Sequence, residues 1–598
     1  MAFDRSVNVK DENGEEDGLT KRRTNSYTAG VKPKLVLAAA VAFVLASAQA
    51  QFPTIATQFV NATQGERPDS DIWINFSGGG AATLNAATGV VTYNATASIG
   101  TANIWNGSAF VSTPIYSFAA YQLSDIQNGT VNISTFGGGR AYVSYGSALT
   151  NIGNSTYSVQ NGPYAGWQPA PASPDVNLAK RFQAFELTIQ PTVAGTSGNF
   201  TFSGTNQAYA NLSYIDQVSI STGINVLNAP TGTSNPTQAS QNTKALIDAV
   251  AVYNSGAAGN STYTAETNVI TIATETQYYQ VAGNSTTPGQ PYSNPGSTSI
   301  ANPAPDLTNL SNIARVTGPG SMPTAGSPTG DTTVYPTWTN YLNALVSGGS
   351  LNASGNLTTQ LAGAFGATGQ PAQAYTGNAT FQAGVINLGG TDYTGYVEIT
   401  SIELGGVAQT EIYVPFSSLT ASTGLYGTNP SYAIGNSTLT LVPGNTFATR
   451  IVGDVVAGMS FGTLGSTVSV TYNATTNTLG GNGTTQALGL FTSEDWWSIG
   501  ALDGMLLFSG AQPDNEFYNT YAADLQFVTA GYGFGIQDRL GQNTTQFNRT
   551  TGDGFDNAVL QFLIQPDTAA IPEPQTLALL AGTAGLLFLM RRRRAKSH

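Results

Sequence analysis

Two neighbouring stretches, FELTIQ at residues 185–190 and ANLSYIDQVSI at residues 210–220, decide how the chain is read. In both, apolar residues recur at every second position, the period of a half-buried strand. In the first, Phe185, Leu187 and Ile189 share one face, and Glu186 points to the other with Ala184 and Thr188. In the second, the same alternation groups Leu212, Tyr214, Asp216, Val218 and Ile220, so a carboxylate stands in an apolar row. A charge placed there needs a hydrogen-bond partner, a proton or a cleft. A structural aspartate bonded to a turn or a tyrosine meets that need as well as a catalytic one, and the pattern leaves both open.

Outward from this pair, the texture stays β-rich. Between Asp71 and Val226, short runs such as DIWINFSG, GTVNISTF and RAYVSYG alternate with polar turn clusters, which predicts a sandwich or barrel. From Thr243 the pattern becomes mixed. TKALIDAVAVY (243–253), PTWTNYLNALV (336–346) and NEFYNTYAADLQFVTAG (515–531) have helical spacing, with strands such as YVEITSIELGG and EIYVPF between them. The expected domains are a β-barrel or sandwich over 51–242 and a mixed α/β domain over 243–540. The second carries a Pro/Gly/Ser/Thr-rich surface insert at about 285–333, and 541–570 is expected to be a linker.

Composition narrows the chemistry. Of 598 residues only 9% are charged, against about 25% in an ordinary globular protein, and the net charge is −13. Such a surface repels phosphate backbones, so nucleic acid is not an expected partner. There is no cysteine, and the one histidine is His598. Thiol nucleophiles, Ser-His-Asp triads and His/Cys metal sites are therefore excluded. Carboxylates are the natural acid–base groups left for a hydrolase, and no cofactor or metal is expected. TGDGFDN (551–557) offers Asp553 and Asp556 but lacks the ligand count of a calcium loop.

Both termini read as addresses. Lys32 and Lys34 precede an apolar run, Leu35 to Ala46, and Ala48-Gln49-Ala50 has the form of a signal-peptidase site, predicting export and cleavage after Ala50. At the other end, Pro572-Glu573-Pro574 is followed by the apolar run Thr576 to Met590 and by Arg591, Arg592, Arg593 and Arg594. As a helix, those 15 residues span about 22 Å, short for a membrane, with the arginines held on the cytoplasmic side. The tripartite end over 571–598 resembles the PEP-CTERM sorting signal of Gram-negative bacteria. The resemblance implies an exosortase partner, transient residence in the inner membrane and a final place in the envelope, on the outer surface or in the extracellular matrix.

FELT and ANLSYIDQVSI also resemble the catalytic core of glycoside hydrolase family 64, thaumatin-like β-1,3-glucanases. YQLSDIQNGTVNISTFGGGRAYVSYGSAL (121–149), with Gly138-Gly139-Arg140 before an aromatic strand, is similar to the family's upstream strands. IARVTGP (313–319) and WTNYLNAL are similar to its middle. EFYNTYAADLQFVTAGYGFGIQDRL, with Tyr532, Phe534, Gln537 and Asp538, is similar to its closing segment. The resemblance implies a thaumatin-like barrel or sandwich whose two regions form an open groove for β-glucan. It also implies an inverting mechanism carried by Glu186 as general acid and Asp216 as general base. Desolvation in an apolar row favours the donor role for Asp216 instead, so either assignment stands. PTVAGTSGNFTFSGTN (191–206) is read as an inserted hairpin, and Gln217 stands where the family favours an aromatic residue.

Tyr214, Arg140, Tyr142, Trp496 and Trp497 are the candidate sugar contacts, Trp73 and Tyr116 lesser ones. Each aromatic is also readable as core, Arg140 as a loop brace, and SEDWWS (493–498) as a turn before a buried strand. Two functions remain open: an exported endo-β-1,3-glucanase acting on laminarin- or curdlan-type glucan, or a non-catalytic surface glycan-binding or structural envelope protein on the same scaffold.

Overall fold

The computed structural model describes residues 52–149, 181–250, 338–347, 356–366, 372–420, 430–440, 446–508, 518–537 and 543–568, positions 95, 197, 216, 504–505, 527 and 536 excepted, and four further strands at 262–264, 269–271, 279–281 and 313–317. Asp216, the export signal, most of the 285–333 insert and the sorting tail, with Pro572, Glu573, Pro574 and Arg591 to Arg594, lie outside the described residues. Among the described residues no helix is long and apolar enough to cross a membrane.

The first region is a sandwich. Its strands in chain order are β1 (Ile55–Asn61), β2 (Ile72–Leu84), β3 (Val91–Asn94), β4 (Ser98–Trp105), β5 (Phe110–Tyr116), β6 (Ala120–Gln122), β7 (Ile126–Ile133), β8 (Phe136–Tyr145), β9 (Phe182–Ala194), β10 (Thr201–Ser213), β11 (Gln217–Val218), β12 (Thr222–Leu227) and β13 (Thr237–Gln238). One seven-stranded sheet runs β13-β12-(Val559–Ile564)-β1-β7-β4-β5. The other runs (Thr545–Thr550)-β10-β9-β8-β2-β3, with β6 on β2. The inner faces follow the period-two pattern of the sequence. Phe76, Phe185, Leu187 and Leu212 from one sheet meet Phe59, Val131 and Phe562 from the other, all buried in one cluster. The rings of Phe185 and Phe562 lie 4.4 Å apart and those of Phe59 and Phe562 5.4 Å. Phe185→Ala is expected to cost about 3–5 kcal/mol of stability, read as a lowered denaturant midpoint with unchanged slope.

Residues 541–570 are not a linker. Val559–Ile564 lies in the middle of its sheet, parallel to β1 (Ala56↔Val559) and antiparallel to β12 (Thr222↔Ile564). Thr545–Thr550 is the outer neighbour of β10. Leu560, Phe562 and Ile564 are fully buried, so the sandwich is incomplete without chain made near its end. The 191–206 insert is the tip of a β9–β10 hairpin, with Thr201 opposite Ala194.

The second region has its own core. A sheet built on the hairpin Gln373–Leu388/Thr391–Leu404 packs with a helix, Phe447–Phe461, that is buried along almost all its length. Thr446 caps that helix and Gly462, at φ 77°, ends it. The predicted helices exist in shorter form, at Thr243–Val250, Trp338–Val346 and Thr520–Gln526. SEDWWS is not a turn and strand. It opens the helix Ser493–Leu502 behind a capping box of Thr492 and Asp495.

Candidate active site

Glu186 lies where alternation puts it, on the outward face of β9, with its side chain about one quarter exposed. Register supplies its neighbours: Arg140 of β8 on one side and Asn211 of β10 on the other. Residues directly opposite in an antiparallel pair share a face, so Arg140, Glu186 and Asn211 form a row across three strands. Thr188 and Tyr209 form the next row.

The position of Arg140 depends on the glycines before it. The β8–β9 register shifts between Phe136 and Gly139, a bulge in which Gly138 has φ +57°. A Cβ on Gly139 would collide with the Phe136 ring and the Leu187 carbonyl. FGGGRA is thus a register device. One residue more or fewer would send Arg140 to the core face.

Arg140 Nη2 donates to Glu186 Oε1 at 3.1 Å and Nε to the same oxygen at 3.4 Å. Both bonds go to Oε1. The other oxygen, Oε2, accepts no hydrogen bond from the described residues. Asn211 is buried, and its Oδ1 has no hydrogen-bond partner among the described residues. The Tyr209 hydroxyl donates to Gln207 Oε1 at 2.5 Å, and burial pushes its phenol up, so it remains a neutral donor. Apart from the Arg140–Glu186 pair, this face offers neutral hydrogen-bonding groups.

The second quoted stretch is not one continuous strand. β10 ends at Ser213, and the chain leaves the sheet before pairing again at β11, with Gln217 opposite Thr317 of Ile313–Thr317. The turn is anchored on both sides of position 216. Gln183 Nε2 donates to the carbonyls of Ser213 (2.7 Å) and Gln217 (3.3 Å), and Gln183 Oε1 accepts from Ser219 N. Gln217 Nε2 donates to the Phe182 carbonyl at 2.6 Å. The alternation argument over 212–220 therefore fails as geometry, although Leu212, Tyr214, Val218 and Ile220 do all reach the core. Gln217, which departs from the expected aromatic, is a brace. Asn211 and Tyr209, which share the face of Glu186, and Gln183, which braces the turn from the opposite face, are residues that the sequence reading missed. Their signal was the alternation itself, which gives Asn211 and Tyr209 one face and Gln183 the other.

Four expected sugar contacts are core groups instead. Tyr214 is fully buried, its hydroxyl in contact with Thr222 Oγ1 (2.9 Å) and Ser240 Oγ (3.1 Å). Tyr142 packs with Leu149, Phe182 and Ala184. Trp496 donates to the Leu488 carbonyl, and Trp497 donates to Asp454, a buried carboxylate that also accepts from Tyr375 and Ser493. Burial of all four rings leaves no face for a pyranose. Gln537 is likewise buried, bonded to Gly533 N and to Gln526. Asp538 lies outside the described residues.

Residues 53–257 match the model of glycoside hydrolase family 64, β-1,3-glucanase. This segment contains Arg140, Glu186 and Asp216 and none of the closing segment that also suggested the family. No curated protein matches the chain. Among solved structures, a β-1,3-glucanase domain of that family from Clostridium beijerinckii is similar at 14% identity and TM-score 0.41, over 86% of this chain and 98% of that one. A laminaripentaose-producing β-1,3-glucanase in complex with laminaritetraose is similar at 15% identity and TM-score 0.39, over 86% and 99%. A laminaripentaose-producing enzyme from Paenibacillus barengoltzii is similar at 18% identity and TM-score 0.21, over 33% and 43%.

Proposed function

We propose that the protein is an exported β-1,3-glucanase that hydrolyses laminarin- or curdlan-type glucan with inversion. The observation that carries this reading is Glu186, an outward carboxylate set by a glycine bulge beside Arg140 on a face of neutral donors and acceptors. It lies within the segment that matches the β-1,3-glucanase family. In the reaction, a water oxygen bonds to the anomeric carbon as the glycosidic C–O bond breaks. One carboxyl gives its proton to the leaving oxygen and the other takes a proton from the water. Glu186, through Oε2, fits the donor role. Asp216 supplies the second group.

Inverting pairs need roughly 6.5–9.5 Å, room for one water. Incubation of the full chain with laminarin, followed by anomeric proton signals in NMR, tests the reading. Inversion predicts that the α-anomer of the new reducing end appears first.

One observation favours a second reading. The hold of Arg140 on Glu186 is also that of a structural ion pair, as in a glycan-binding protein without turnover. Laminarin binding with no release of sugar would establish that alternative. Export and sorting belong to the same proposal. A signal peptidase cuts after Ala50 and an exosortase acts near Pro572-Glu573-Pro574, so protein recovered from the envelope of a Gram-negative host with an exosortase starts at Gln51 and lacks the arginine tail.

A further inference from the structure

The outer face of the other sheet, on the far side of the sandwich from Glu186, carries a row of side-chain amides. Asn225 Nδ2 donates to Gln561 Oε1 at 3.1 Å, Gln561 Nε2 to Gln58 Oε1 at 2.7 Å, and Gln58 Nε2 to the Asn128 carbonyl at 3.0 Å. The row crosses β12, Val559–Ile564, β1 and β7 in sheet order. Further along, Asn103 Nδ2 donates to Gln127 Oε1 at 2.8 Å. Each amide is fixed by its neighbour, which leaves donors and acceptors arranged one strand spacing, about 4.8 Å, apart.

The β4–β5 hairpin rises at the sheet edge beyond this row. Its cross-strand pair Trp105 and Phe110 has ring centroids 5.3 Å apart at 60°, with the residues 43% and 41% exposed. Below Phe110 lies a half-open cleft of about 390 Å³, lined also by Gln58, Asn61, Asp69, Ser124 and Asn128. Among the described lining residues Asp69 is the one carboxylate, and its Oδ1 accepts from Asn61 Nδ2 at 2.7 Å.

Two exposed aromatic rings in contact beside a cleft offer apolar faces to a ligand, and their surroundings say which kind. Among the described residues the cleft lining holds no cation to pair with a phosphate, a nucleic acid or an anionic lipid headgroup. Amides, a hydroxyl and one carboxylate match the vicinal hydroxyls of a neutral sugar, and ring faces match its C–H faces.

We propose that Trp105, Phe110 and the cleft beside them form a second binding surface for a neutral polysaccharide chain, separate from the Glu186 site and holding the protein on insoluble polymer. Only the choice of β-1,3-glucan as first probe rests on the proposed activity.

The test is co-sedimentation of the full chain with insoluble β-1,3-glucan, cellulose and mannan, beside hydrolysis of a short soluble β-1,3-oligosaccharide. The double variant Trp105→Ala/Phe110→Ala is expected to raise the apparent Kd for the insoluble glucan about tenfold or more. Hydrolysis of the soluble oligosaccharide stays unchanged, and Trp105→Phe, which keeps a ring face, binds close to wild type. Loss of binding to cellulose or mannan in the double variant, with no wild-type affinity for β-1,3-glucan, would support the surface and count against the functional reading. Three results overturn the proposal: undiminished sedimentation of the double variant, wild type that sediments with none of the polymers, or an effect confined to self-association of the protein. Failure of the activity reading shows separately, as absent hydrolysis of the soluble oligosaccharide by wild type.

Discussion

Asp567→Asn is expected to lower the unfolding free energy by about 3–5 kcal/mol, because it leaves a buried guanidinium without its counter-charge. Arg181 meets Asp567 with both terminal nitrogens, Nη1 to Oδ2 at 2.7 Å and Nη2 to Oδ1 at 2.6 Å. Their side chains are only 8% and 12% exposed. Arg67 lies 3.6 Å from the same carboxylate and pairs with Asp71, and the Tyr145 ring faces both guanidinium groups. Glu66 accepts from the backbone nitrogens of Asp567 and Thr568. The cluster thus ties the last described residues to the chain just after β1 and to the start of β9, which leads to Glu186.

The pH dependence follows from the charges. Burial pushes the Asp567 carboxyl up, but the hydrogen bonds and charge of Arg181, with the charge of Arg67, hold it below the usual carboxylate range. A depressed folded-state value means that the stabilisation is complete above the unfolded value of about 3.9. It is lost as the pH falls through the lower folded value. The stability gap between wild type and Asp567→Asn should therefore be constant from neutral pH down to about 5 and narrow as the pH falls below the unfolded value. Urea titrations at stepped pH read it directly. A gap that widened on acidification would contradict the assignment.

The first region was legible in the sequence where a local rule governs. Period-two alternation gave the outward face of Glu186 and the inward faces of Phe185 and Leu187, because one buried face fixes a strand. It could not give Arg140 as the partner of Glu186. That pairing joins residues 46 apart, and it depends on sheet order and on a bulge that adds a residue to β8. Nor could it show that 210–220 breaks at Ser213, since Val218 and Ile220 reach the core after the turn and keep the apolar rhythm. Val559–Ile564 was misread because its parallel partner, β1, lies some 500 residues earlier. Phe447–Phe461 escaped notice because a helix buried on nearly all sides has no polar stripe to mark its period. The helix at Ser493 did have a signal: Thr492 and Asp495, spaced as a capping box before an apolar run.

Glu186→Gln is expected to reduce kcat on laminarin by roughly 10²–10⁴ while leaving the fold intact. The amide keeps the size of the side chain and retains an acceptor for Arg140, so the row from Arg140 to Asn211 survives and thermal unfolding should shift little. What is lost is a carboxyl oxygen able to carry a proton. A substrate with an activated aryl leaving group needs less help from an acid, because the departing oxygen is already a good leaving group. If Glu186 is the donor, its glutamine variant should recover much of its rate on such a substrate, whereas Asp216→Asn should remain equally slow on both. Recovery by Asp216→Asn alone would exchange the two roles. Full activity of Glu186→Gln on laminarin would remove Glu186 from the chemistry and reduce its pairing with Arg140 to a cross-strand brace.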